Sequence, residues 1–161
     1  MTTDRIEKKT LLRAPLDRVW QAIADSSQFG EWFCLRADGP FVAGEKLRCT
    51  IVPTDDDSEL AGEHNEYAGV EFDVWVEEIL PKRRLSFRWI PYSVDEDADP
   101  ENELTTLVTF ELEEQADGVL LTITESGFDQ IPVERRAKAF SANDEGWTHQ
   151  IHNIEIYVAR D

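Results

Sequence analysis

A few side chains in this sequence could carry acid–base chemistry. Glu125 lies near the end of an apolar segment, where burial would make its carboxyl group a candidate general acid or base. His152 and Tyr67 are the other two candidates. Because Glu side chains are usually exposed, we expect Glu125 to face outward, and we assign no catalytic residue. No nucleophile elbow, phosphate loop or dinucleotide fingerprint is present, so an enzyme is the alternative rather than the first hypothesis.

Histidine and cysteine spacing does not predict a metal site. His149 and His152 are three residues apart, but no third ligand and no HExxH pattern accompanies them. Cys34 and Cys49 form neither a CxxC pair nor a disulfide framework, and we expect two free thiols. We therefore predict no metal and no cofactor.

A run of aspartates at positions 95, 97 and 99 is similar to the start of a calcium-binding loop. The sixth position of such a loop requires Gly, and here it is Pro100. The twelfth position requires Glu, and here it is Thr106. An EF-hand is therefore excluded.

Aromatic residues are the most informative group, since five Trp and eight Phe occur in 161 residues. Aromatic side chains usually pack in the core, and cavity walls are core positions with one side left open. The number of Trp favours an aromatic-walled cavity for an apolar ligand. We predict six wall residues: Trp32, Trp75, Phe87, Trp89, Trp147 and Ile151.

Charge and hydropathy exclude several classes of function. The chain has 34 Asp and Glu against 16 Lys and Arg, a net charge of −18, which would repel nucleic acids and anionic membranes. Much of the acid falls in two predicted loops, 54–66 and 95–103. No apolar run approaches the roughly 20 residues of a membrane span, and the N-terminus has no secretory pattern. We expect a cytoplasmic protein.

Hydrophobic periodicity predicts the order of elements. A strand over 4–13 precedes a helix that begins near Pro15, and a second short helix includes Phe29, Trp32 and Phe33. Alternating apolar residues then predict strands near 37–42, 46–52, 70–79, 85–89, 104–112 and 119–124, with a hairpin turn at Asp117-Gly118.

The C-terminal segment is predicted to be helical. Pro132 begins a short helix that ends near Ala139, and Ser141 with Asp144 is similar to a capping box that begins a second helix. An apolar stripe follows on one face of that helix: Trp147, Ile151, Ile154 and Val158. This helix is long enough to cross a sheet and bury its apolar face.

These elements predict an α+β fold in one domain over residues 1–161. About six or seven antiparallel strands form a curved sheet around the long C-terminal helix, and two short helices follow the first strand. Such a sheet leaves a space against the helix that could bind a ligand.

Several segments, in this order, resemble the START-like (SRPBCC) helix-grip superfamily, and more narrowly the family named for the activator of the heat-shock-protein-90 ATPase. They are Ala14-Pro15 with 19–23, Trp32-Phe33, Gly69 with 79–89, 122–128 and Glu145-Gly146-Trp147. The resemblance covers nearly the whole chain and implies the helix-grip fold. The superfamily is implied to include lipid and steroid binders, polyketide cyclases and chaperone regulators.

The first functional hypothesis is binding of a small hydrophobic molecule between the sheet and the C-terminal helix. The alternatives are a cyclase- or hydrolase-type enzyme that uses the same cavity, and a module that interacts with a chaperone. Either a monomer or a homodimer is compatible with the sequence, and no nucleic-acid or membrane-inserted partner is expected.

Overall fold

The computed structural model of the chain describes residues 5–52, 69–89, 105–128 and 133–159. These segments form the helix-grip fold that the sequence predicts, with seven strands and three helices. In chain order they are β1 (Arg5–Leu12), α1 (Leu16–Ala24), α2 (Ser26–Phe33), β2 (Leu35–Ala37), β3 (Lys46–Ile51), β4 (Glu71–Leu80), β5 (Arg84–Trp89), β6 (Thr106–Gln115), β7 (Gly118–Ser126) and α3 (Val133–Ala159).

The seven strands form one antiparallel sheet in the order β1-β7-β6-β5-β4-β3-β2. From β2 to β7 each strand pairs with the next along the chain, and β1 then joins the far side of β7. The register between β4 and β5 shifts between Val76 and Glu78, which marks a β-bulge.

The two faces of the sheet differ because side chains alternate along each strand. On the inner face of β7 the buried residues are Val119, Leu121 and Ile123, and they pack in the core with α3. The outer face carries ion pairs, such as those of Arg48 with Glu71 and Asp73. Exposed pairs of this kind contribute little to stability, so the inner face supplies the hydrophobic core.

The two short helices lie between β1 and β2 in the chain, and both pack against α3. Pro15 immediately precedes α1, where its fixed φ suits a helix start. The Asp25 side chain accepts a hydrogen bond from the Ser27 backbone N–H and caps α2. Cys34 ends α2 in the left-handed conformation, and its N–H donates to the Gly30 carbonyl. These caps fix the direction in which α2 presents its aromatic side chains.

Two predicted boundaries are wrong. The strand expected over 37–42 ends at Ala37, because residues 38–42 turn into the tight loop at Gly44. The helix break expected near Ser141 is absent, and α3 is one helix of 27 residues. Ser141 lies exposed inside that helix, so the similarity to a capping box has no structural counterpart.

Some predictions lie outside the described residues. They are the loops at 54–66 and 95–103, the aspartates of the rejected calcium loop, and Tyr67. In the described part of the chain, no helix has the length and apolar character that crossing a membrane requires.

Candidate functional site

The most unusual group in the core is the carboxylate of Glu125, which is completely buried. Its Oε1 accepts hydrogen bonds from Trp147 Nε1 at 2.8 Å and Asn143 Nδ2 at 3.0 Å. Its Oε2 accepts from Trp89 Nε1 at 2.8 Å, Asn143 Nδ2 at 2.9 Å and the Thr106 hydroxyl. We call Glu125 and these four donor residues the carboxylate cluster. Both oxygens are fully satisfied, which offsets the large cost of burying the group.

Three elements supply the donors. Trp89 on β5 and Thr106 on β6 are directly paired across the sheet, and Glu125 on β7 pairs with Val108, the next inward residue of β6. Asn143 and Trp147 are four residues apart on α3 and therefore share one face of the helix. The cluster joins the sheet to α3 through polar contacts in an otherwise apolar layer.

The expectation that Glu125 faces outward is wrong. Val119, Leu121 and Ile123 are the preceding inward residues of β7, and a period of two places residue 125 on the same face. Extending this alternation by one step would have identified Glu125. Thr106 similarly continues the inward series of Val108 on β6. Exposure statistics for Glu outweighed the strand period in our prediction.

An aromatic cluster surrounds these polar groups. The Trp89 and Trp147 rings are stacked, with centroids 5.7 Å apart and an interplanar angle of 28°. Phe33 of α2 lies 6.0 Å from Trp89 and 5.8 Å from Trp147. Phe72 of β4 lies 6.3 Å from Trp89, and Phe87 lies 5.4 Å from it. Trp89 is thus in contact with four other rings from α2, α3 and two strands.

Burial divides this cluster into two parts. Phe87 and Trp147 are fully buried. Phe33, Phe72 and Trp89 are half-buried, and each packs against the core with one part accessible to solvent. We call these three half-buried rings the open aromatic surface. Phe33 and Trp89 are in contact with the buried Trp147 ring, and the open aromatic surface is the region where an apolar molecule could contact several rings together.

The end of α2 is fixed by α3, which positions Phe33. Gln150 donates its side-chain N–H to the Phe33 carbonyl at 3.4 Å, and Asn153 donates to the Trp32 carbonyl at 3.2 Å. These contacts satisfy carbonyls that a helix C-terminus leaves without an intrahelical partner. The Trp32 ring is fixed as well, because its Nε1 donates to the Ala22 carbonyl at 2.8 Å.

Four of the six predicted wall residues lie in one aromatic cluster: Trp32, Phe87, Trp89 and Trp147. Ile151 is half-buried on α3, one turn after Trp147, and packs against the same core. Sequence reasoning missed Phe33 and Phe72 as wall residues and missed Asn143 and Thr106 as hydrogen-bond donors.

Trp75 requires a correction, because it belongs to the opposite face of the sheet. On β4 the inward residues are Val74 and Val76, which pair with Trp89 and Phe87 of β5. Trp75 lies between them and pairs with Arg88, so the pleat directs its side chain away from the core. The alternation on β4 contained this information, and Trp75 is not part of the wall.

The acid–base candidates do not assemble into one site. His152 is exposed on α3, and Tyr67 lies outside the described residues. Glu125 is buried beneath two indole rings, with hydrogen-bond donors at both of its oxygens. Within the described ranges, no group of three or more His, Cys, Asp or Glu side chains could hold a metal ion.

Comparison with solved structures identifies many chains of similar fold. A protein from Mesorhizobium loti has a TM-score of 0.70 at 20% identity, and the alignment covers 97% of both chains. A protein from Arthrobacter aurescens has a TM-score of 0.74 at 17% identity and covers 99% of this chain and 88% of its own. The Aha1 dimer from Colwellia psychrerythraea has a TM-score of 0.65 at 14% identity, with 96% and 94% covered.

Sequence comparison identifies the family. A search of curated proteins gives no significant match. The model of one protein family, described as activator of Hsp90 ATPase homolog 1-like protein, matches residues 13–159. This match includes every described element except β1. The chain therefore belongs to the family of activator of Hsp90 ATPase homolog 1-like proteins, with the START-like helix-grip fold.

Proposed function

We propose that this protein binds a small hydrophobic molecule between the curved sheet and α3. The observation that carries the proposal is the open aromatic surface, in which Phe33, Phe72 and Trp89 are in contact and none is fully buried. Ile151, which is half-buried on α3 one turn after Trp147, is a further apolar side chain that packs against the same core. A ligand that covers these side chains would gain roughly 25 cal/mol for each Å² of apolar surface removed from water.

The carboxylate cluster supports this proposal because it makes the wall rigid. Trp89 is held by its N–H bond to Glu125 and by its stacking on Trp147. Phe33 is held at the end of α2 by the contact of its carbonyl with Gln150. Binding surfaces that are already ordered lose less conformational entropy when a ligand binds. The polar contacts therefore improve apolar binding without contacting the ligand.

The enzyme alternative has less support in the described part of the chain. A general acid or base must come within hydrogen-bond distance of the reacting atom. Glu125 is covered by Trp89 and Trp147, and the imidazole of His152 is exposed on the helix surface. A role as a chaperone-interacting module is the other alternative, and it rests on the description of the family alone. Co-purification with a chaperone would test that role.

We infer that the protein acts in the cytoplasm, and two free thiols support this location. Cys34 and Cys49 form no disulfide, and free thiols persist in reducing compartments. The oligomeric state is either a monomer or a homodimer, and sedimentation of the purified protein would distinguish them.

The binding proposal can be tested with a fluorescent apolar probe. N-phenyl-1-naphthylamine is neutral and aromatic, and its emission increases in apolar surroundings. We expect saturable binding of one probe per chain, with energy transfer from tryptophan. Trp89→Phe should weaken probe binding severalfold. Phe has a smaller ring than Trp, and it cannot donate the hydrogen bond to Glu125.

A matched control uses the neighbouring strand. Trp75→Phe makes the same chemical change on the outer face of the sheet, one residue pair away from Trp89. This variant should bind the probe as the wild type does. Equal weakening in both variants, or no saturable binding to the wild type, would contradict the proposed function.

A further inference from the structure

The electrostatics of the carboxylate cluster restrict which ligands the open aromatic surface would favour. Three of the groups that contact Glu125 are hydrogen-bond donors that cannot accept. They are the indole N–H groups of Trp89 and Trp147 and the amide N–H₂ of Asn143. Together they contact both carboxylate oxygens. Because donor-only groups contact both oxygens, we infer that the carboxylate is ionised, with the Thr106 hydroxyl as a further donor.

In the part of the chain that the structure describes, none of the hydrogen-bond or ion-pair partners of this carboxylate is a cation. None of the ion pairs in the described part of the chain includes Glu125, and its four partners are neutral groups. A buried charge that only dipoles stabilise keeps a strong field, because the low-dielectric interior screens it poorly. That field reaches the half-buried ring of Trp89, whose N–H lies 2.8 Å from Oε2.

Hydrogen bonding to an anion also changes the indole ring itself. An N–H that donates to a carboxylate shifts electron density towards the ring, since hydrogen-bonded groups polarise one another. The negative face of the aromatic ring becomes more negative, and this face attracts cations. Phe33 and Phe72 lie beside Trp89 at interplanar angles of 61° and 69°. Both of these rings are therefore inclined to the Trp89 ring.

We propose that the open aromatic surface prefers a monovalent organic cation, such as a protonated or quaternary amine that carries an apolar group. The proposal rests on the proposed function and specifies its ligand class. The apolar part would be buried against Phe33, Phe72 and Ile151, and the positive centre would lie over the Trp89 ring. Anionic amphiphiles would be disfavoured, because the buried Glu125 charge repels them. The overall charge of −18 acts in the same direction at long range.

The test compares three probes of one shape in competition with N-phenyl-1-naphthylamine. Benzyltrimethylammonium is the cation, neopentylbenzene is its neutral carbon isostere, and phenylmethanesulfonate is an anion of similar size. In 150 mM salt we expect the cation to compete about tenfold more strongly than the neutral isostere, in the range of desolvated cation–π interactions. The anion should compete least.

Two variants separate the local field from the overall charge. Glu125→Gln removes the buried charge. In this variant the cation should compete at most about twofold more strongly than the neutral isostere. Glu113→Gln removes the same charge from an exposed position on β6, at the hairpin end of the sheet, and should keep the tenfold ratio. If Glu125→Gln does not fold, Trp89→Phe replaces it. That variant keeps the Glu125 charge but removes the indole that this charge polarises, so the preference for the cation should fall below that of the wild type.

The outcomes distinguish this inference from the proposed function. A neutral isostere that competes as well as the cation would overturn the preference for cations and leave apolar binding intact. A cation preference as large as that of the wild type in Glu125→Gln, or in Trp89→Phe where that variant replaces it, would also overturn the inference. If Glu113→Gln reduces the preference for the cation as much as Glu125→Gln does, the preference arises from the overall charge. That result would also contradict the inference. If none of the neutral molecules binds, the proposed function itself fails.

Discussion

The indole N–H groups of Trp89 and Trp147 donate to the two different oxygens of one buried carboxylate, that of Glu125. The two rings are stacked at an interplanar angle of 28°. Trp89 belongs to the sheet and Trp147 to the terminal helix, so one side chain aligns aromatic rings from both layers of the fold. The ligand-binding account depends on this alignment.

Trp147 should stabilise the protein through both its ring and its N–H group. The side chain is fully buried, so Trp147→Ala should lower the free energy of unfolding by about 3–5 kcal/mol. Trp147→Phe keeps most of the apolar area but leaves Oε1 with Asn143 as its remaining donor. That variant should cost about 1–3 kcal/mol. Urea unfolding monitored by far-ultraviolet circular dichroism measures both values. If Trp147→Ala lowers the free energy of unfolding by less than about 1 kcal/mol, the Trp147 ring does not pack in the core.

Two glycines in helices should respond oppositely to replacement by Ala. At Gly30 of α2 an added Cβ would lie 2.3 Å from the Leu35 backbone oxygen, so the backbone would have to move. We expect Gly30→Ala to destabilise the protein by about 1–3 kcal/mol. At Gly146 of α3 nothing lies within 4 Å of an added Cβ.

Gly146→Ala is therefore the matched control. It should stabilise the protein by about 0.5–1 kcal/mol, since Ala loses less conformational entropy in a helix than Gly does. Thermal unfolding of the two variants and the wild type shows directly whether each substitution stabilises or destabilises the protein. A stabilised Gly30→Ala variant would show that α2 does not pack this closely against β2.

The α2 cap should contribute stability in a pH-dependent manner. The hydrogen bond from Ser27 to the Asp25 side chain lowers the pKa of that carboxyl below its usual 3.8. A lowered pKa means that its stabilisation is fully present above the unfolded-state value and is lost as pH falls through the folded-state value. Asp25→Ala should cost about 0.5–2 kcal/mol at pH 7.

Urea unfolding at pH 7 and at pH 3 measures this dependence. The difference between wild type and Asp25→Ala should become smaller at the lower pH. Asp25→Asn keeps a side-chain acceptor and should remain close to the wild type at pH 7. A difference between wild type and Asp25→Ala that is independent of pH would show that the carboxylate charge does not support the cap.

The two thiols should differ in reactivity. Burial raises the pKa of Cys49 to about 12, with smaller contributions from the Asp38 and Asp73 charges. The thiolate is the nucleophile, so Cys49 should resist alkylation by iodoacetamide at pH 8. Cys34 is more exposed and should react first. Intact mass after brief exposure should show one added group in native protein and two after unfolding in urea, whereas two groups in native protein would contradict the burial of Cys49.

Much of the fold could be predicted from the sequence, because period-two segments and the α3 stripe are strong local signals. Val74 and Val76 on β4 already defined which face of the sheet is buried. The same pattern excluded Trp75 from that face, but the number of Trp in the chain led us to predict it as a wall residue. The strand period was more informative than this count.

The carboxylate cluster was harder to predict, because it depends on tertiary contacts. The period of β7 placed residue 125 inward, but nothing local to that strand identified a donor for it. Asn143, Trp147 and Trp89 reach Glu125 only once α3 packs across the sheet. The register that aligns β5, β6 and β7 is likewise a property of the whole sheet.

The most direct test of ligand binding at the open aromatic surface uses NMR signals of the tryptophan indole N–H groups during titration with N-phenyl-1-naphthylamine. Trp→Phe variants assign the five signals. The Trp89 signal should shift most and saturate with one probe per chain. The Trp75 signal, from the outer face of the sheet, should not move. A saturating shift at Trp75 without one at Trp89, or no saturating shift at any Trp, would contradict the account.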